Sequence, residues 1–70
     1  MELTNEEKSN IVTQHIKSIV SNIYNLHVSL IAEQAVETIN QANIDNLNQQ
    51  IDNETSKREA LLSELATLQA

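Results

Sequence analysis

Apolar residues recur at steps of three and four along most of this 70-residue chain. Val12, Ile16, Ile19, Ile23, Leu26 and Leu30 are separated by 4, 3, 4, 3 and 4 positions. Ile44, Leu47 and Ile51 continue the rhythm, and Leu61, Leu65 and Leu68 resume it. Such spacing lines one side of an α-helix, whereas a strand needs alternation every second residue. With Ile16 at position a of a heptad, Ile23, Leu30, Ile44, Ile51 and Leu65 are also a. Val12, Ile19, Leu26, Leu47, Leu61 and Leu68 then fall at d, which is the seam of a coiled coil.

The seam fails in the middle. Positions 33, 37 and 40 continue the d, a, d series but hold Glu33, Glu37 and Asn40. The apolar residues of that region, Ile31, Ala35, Val36, Ile39 and Ala42, lie on other faces. Two architectures accommodate the break. One is a single continuous coiled-coil helix about 95 Å long at 1.5 Å per residue, with three polar layers at its centre. The other is an antiparallel two-helix hairpin that folds back there.

The hairpin leaves fewer polar groups buried. Pairing seam residues whose numbers sum to about 74 sets Leu30 against Ile44, Leu26 against Leu47, Ile23 against Ile51 and Val12 against Leu61. Nearly every layer is then apolar. Three polar layers in a rod would each cost roughly 1–3 kcal/mol if left unpaired. The expected fold is therefore all-α, one hairpin domain over residues 1–70. Helix 1 is expected near 4–36, the turn near 37–40 and helix 2 near 40–69.

Local signals support those ends. Thr4-Asn5-Glu6-Glu7 has the form of a capping box. Thr38-Ile39-Asn40-Gln41 has the same form where a second helix would begin. The chain has no Gly and no Pro, so Asn40 or Asn43 is expected to supply the left-handed conformation or the cap at the fold-back. Ser56-Lys57-Arg58-Glu59 also matches the box but sits inside a periodic stretch and reads as a chance match.

Composition narrows the function classes. Without Cys, disulfides and thiolate metal sites are excluded. A 70-residue core is marginal, so burial against partner chains is the expected supplement. Val20 and Leu62 widen the seam at e positions, as in a bundle of more than two helices, and two hairpins forming a four-helix bundle would bury them. Glu54 and Arg58 interrupt the seam of the second helix at d and a. Their acid-first i, i+4 order suits a salt bridge, although a solvated gap explains them as well, because exposed pairs contribute little.

Ten acidic residues face four basic ones, for a net charge of −6. No Lys or Arg occurs between Lys17 and Lys57. Phosphate binding and attraction to an anionic membrane surface are both disfavoured by that sign. No aliphatic run exceeds three residues, as in Leu30-Ile31-Ala32, and the N-terminus is acidic, so neither a membrane span nor a signal peptide is expected. The expected location is intracellular, neither secreted nor in a membrane.

No catalytic, cofactor or metal site emerges. His15 and His27 lie on opposite flanks of the seam, at g and e, and zinc needs three or four clustered ligands. Glu33 and Glu37 are i, i+4 neighbours without the concave pocket an acid–base pair requires. Tyr24, the sole aromatic, falls at b, away from the seam.

The segments Ile23-Tyr24-Asn25-Leu26, Ser29-Leu30-Ile31-Ala32-Glu33 and Asn43-Ile44-Asp45-Asn46-Leu47 resemble small uncharacterised helical proteins of marine bacteriophages and ocean metagenomes. That resemblance implies a small helical protein of viral or environmental origin. It implies no activity, and no functional residue is carried over. The expectation is a non-catalytic structural or adaptor protein that self-associates through its Ile/Leu seam as a dimer or higher homo-oligomer, in a phage accessory or assembly role. The alternative is a small regulatory inhibitor, antitoxin-like, that docks its apolar helix face on a protein partner.

Overall fold

In the computed structural model, which describes residues 2–70, two α-helices pack side by side. Met1, the first residue of the expected 1–70 domain, lies outside the described residues. Helix α1 spans Asn5–Gln34 and α2 spans Gln41–Gln69. The molecule measures 56 × 19 × 14 Å. A 30-residue helix is about 45 Å long, so the long dimension is one helix plus its ends. The continuous helix is ruled out, since residues 35–40 break the helical backbone.

Each helix begins where its cap dictates. At α1 the capping box is complete. The Thr4 N–H donates to Glu7 Oε1 at 2.9 Å, and the Glu7 N–H donates to Thr4 Oγ1 at 3.1 Å. These two bonds satisfy donors that the first helical turn leaves without a partner. Glu6 and Glu7 also place negative charge at the positive end of the macrodipole. At α2 the cap is Asn40, whose Oδ1 accepts from the Asn43 N–H at 3.3 Å.

The fold-back supplies the expected cap at Asn40 and differs from its expectation in two respects. Helix α1 stops at Gln34 rather than near 36, so the connection runs over residues 35–40. The Thr38 box does not form, because the helix starts two residues later. No described residue has a positive φ. A tight reversal would need a left-handed residue, which Gly supplies most cheaply. Six residues reverse the chain with φ negative throughout. Ala35 closes α1 with a short bond from its N–H to the Ala32 carbonyl, 3.3 Å. Asn40, extended at φ −92° and ψ 99°, opens α2.

Between the helices, every a and d position from 9 to 33 and from 44 to 68 is at least half-buried. All twelve apolar seam residues, Val12 to Leu30 and Ile44 to Leu68, are among them. Ile44 alone is buried outright, at 7 % exposure. Half-burial of an Ile or Leu stabilises by roughly 1 kcal/mol. The polar members of the series, Ser9, Glu33, Glu54 and Arg58, share the same partial cover.

Two threonines beside the seam resolve their own hydroxyls. Thr13 donates to the Ser9 carbonyl and Thr55 to the Ile51 carbonyl, both at 2.8 Å. Among the described residues, no buried side-chain nitrogen or oxygen lacks a partner.

Candidate functional site

The hairpin has two flanks and two backs, and they differ in chemistry. On the flank where the g positions of both helices meet, three shallow grooves follow the helix junction. The groove nearest the turn is lined by Ser29, Glu33, Asn43, Asn46, Leu47 and Gln50. The middle one is lined by Asn22, Asn25, Leu26, Ser29, Gln50 and Glu54. The one nearest the chain ends is lined by Leu3, Lys8, Ile11, Val12, Glu64 and Leu68. These pairings fix the antiparallel register: residues 29–33 lie by 43–50, and 3–12 lie by 64–68.

The grooves hold about 260 to 330 Å³, at the lower limit for small-molecule sites. Two of the three are walled by Asn, Ser, Gln and Glu, without the apolar enclosure that normally buries a ligand. No three His, Asp or Glu residues gather into a metal-binding group among the described residues. His15 and His27 are both exposed and stand about 18 Å apart along α1 at 1.5 Å per residue. The His27 ring lies 6.5 Å from the ring of Tyr24, tilted by 45°.

Glu33 and Glu37 do not share a helix face. Glu33 is half-buried in the last turn of α1, and Glu37 is exposed in the connection. The suggested Glu54–Arg58 bridge is also absent. Lys57 Nζ pairs with Glu54 Oε1 at 3.3 Å, and Arg58 pairs with Glu59 at 3.7 Å. Glu54 and Arg58 both turn toward α1, while Lys57, at g, reaches the Glu54 carboxylate from the groove side.

The carboxyl of Glu7 has a displaced pKa. Hydrogen bonding from the Thr4 backbone N–H, with the Thr4 side chain second, holds its carboxyl below the ordinary value of 4.5. That is the chemistry of a helix cap and not of a reacting group.

The remaining feature is apolar and faces solvent. Val20, Tyr24, Val28 and Ile31 are 47 %, 66 %, 47 % and 54 % exposed. At 100° per residue they fall within an arc of about 80° on α1, turned away from α2. Val36 and Ile39, also about half exposed, continue apolar surface into the connection. On α2 only Leu62 among the large apolar residues is comparably exposed, at 43 %. The seam reading noticed Tyr24 and Ile31 separately but did not join them. The signal that joins them is the 4, 4, 3 spacing from Val20 to Ile31, a second helical stripe outside the a/d frame.

Among the described residues no helix is long and apolar enough to cross a membrane. No protein-family model, curated protein or solved structure matches the chain.

Proposed function

We propose that the chain is a non-catalytic structural or adaptor module that works by self-association. The observation that supports this is the thin cover of its seam. Two helices alone leave eleven of the twelve seam residues only partly covered, and Ile44, the best covered of the described residues, still keeps 7 % exposure. A 70-residue hairpin without disulfides has little other means of adding burial. A second hairpin laid against the first supplies it, as in a four-helix bundle. The resemblance to small phage proteins gives a setting, an accessory or assembly component, in which a small helical clip of this kind would be used.

Small-angle scattering on an absolute scale, at several concentrations, tests the proposal. The expected result is a mass of at least two 7.8 kDa chains with a maximum dimension near 60 Å. A mass of one chain at every concentration would sink self-association. It would favour the regulatory alternative, in which the exposed stripe of α1 seats in a groove of another protein.

A further inference from the structure

We infer that a second copy of this chain docks on the outward stripe of α1, Val20, Tyr24, Val28 and Ile31, in an antiparallel two-fold arrangement. This rests on the self-association reading and deepens it by naming the face, its occupant and its register.

The first argument is electrostatic. In a two-fold contact the same patch meets itself, so any unbalanced charge within it faces a like charge. The chain carries −6 overall, and most of its surface would repel a copy of itself. Residues 18–32 form the exception, with no Asp, Glu, Lys or Arg. The outward stripe of α1 occupies the same segment. Helix α2 offers no such stretch, since Asp45, Asp52, Glu54, Lys57, Arg58, Glu59 and Glu64 punctuate it.

The second argument is area. The hairpin exposes 5335 Å². A folded monomer of 7.8 kDa is expected to expose about 4,400 Å². The excess, roughly 900 Å², is close to the ~800 Å² that each partner of a standard interface contributes. A contact of that size would add to the partial cover that the two helices give each other, and the outward side of α1 has the apolar area to make it. Among exposed large apolar residues, this stripe is the longest aligned series.

The third argument is symmetry. The stripe reads nearly the same in both directions. Two α1 helices crossing antiparallel near residue 26 place Val20 against the second copy's Ile31, and Tyr24 against the second copy's Val28. A ring then packs on a β-branched side chain at both central layers. Lys17 comes toward the second copy's turn, which carries Glu37.

Sedimentation equilibrium from about 1 µM to 1 mM decides the matter, with circular dichroism on each variant. Val28→Glu and Tyr24→Lys are expected to raise the dimer dissociation constant by at least ~100-fold. Helicity should be unchanged, because both side chains face solvent in the hairpin. Gln49→Glu, with the same added charge on the exposed back of α2, and Leu62→Glu, on the e flank, should dimerise as the unmodified chain does. Mixing Val28→Glu chains with Tyr24→Lys chains should restore a one-to-one dimer, since the antiparallel register sets the new acid against the new base. Retained dimerisation in both stripe variants would overturn the inference. Loss of the dimer in Leu62→Glu alone would place the contact on the e flank, leaving self-association standing and this face refuted. An unmodified chain that stays monomeric to 1 mM would remove both.

Discussion

Helices α1 and α2 present the same half-buried a/d side to one another but differ on the outside. The middle of α1 is uncharged and carries four exposed apolar side chains in line. The outside of α2 is acidic, and its seam contains Glu54 and Arg58. The inner sides have to match, because each is the other's only cover. The outer sides are free of that constraint, so they report what each helix does beyond pairing. By this comparison the outside of α2 suits solvent, and the outside of α1 is the face we propose for contact.

Substitutions can break the shared part of the comparison most forcefully. Ile23→Asp and Ile51→Asp put a carboxylate into the same layer from opposite helices. Each should destabilise the hairpin by about 2–4 kcal/mol, a large share of what a domain this small possesses. Thermal melts followed by circular dichroism would show it, and the two losses should agree within about 1 kcal/mol. A much smaller loss for Ile51→Asp would mean that the seam is not shared evenly.

The next test sharpens the difference inside the seam. Replacing Glu54 and Arg58 together by Leu gives α2 the continuous stripe that α1 already has. Exchanging half-buried charges for apolar side chains is expected to stabilise by about 1 kcal/mol, or a rise in Tm of about 4–8 °C. A fall in Tm would show that the charged layer contributes to the register rather than interrupting it.

How much of this was readable in advance follows from what periodicity encodes. The side that each helix buries was legible from spacing alone, since helix geometry converts number directly into direction. The Thr4 box was legible for the same local reason. The end of α1 was not. Ala35 and Val36 carry no stop signal, and the helix yields there because Asn40 makes the better cap and six residues reverse the chain without a left-handed turn. The outward stripe was missed because a heptad frame assigns Val20, Tyr24 and Val28 to e, b and f, three separate positions. Their common direction appears only at 100° per residue without the frame.

The smallest expected effect concerns the N-terminal cap of α1, which has a box where α2 has a single Asn. The folded pKa of Glu7 is lowered, so its contribution is present above the unfolded value and is lost as pH falls through the folded one. Nuclear magnetic resonance titration of the Glu7 carboxyl should therefore give a midpoint below those of ordinary exposed glutamates. Thr4→Ala should move that midpoint upward and fray the first turn of α1. An unchanged midpoint in Thr4→Ala would show that the box does not hold the carboxylate in solution.

Ile44, the best covered of the described side chains, sits in the first turn of α2, immediately after the connection. The expected pairing sets it against Leu30, so the best-covered layer would also join residues close together in the chain. Closing such a short loop takes on the order of 10–100 ns. Later layers then form one after another, each from residues already brought near by the last. The hairpin should thus assemble as a zipper from its turn, in the microsecond-to-millisecond range of proteins rich in local contacts. The end holding Val12 and Leu68 closes last and opens first.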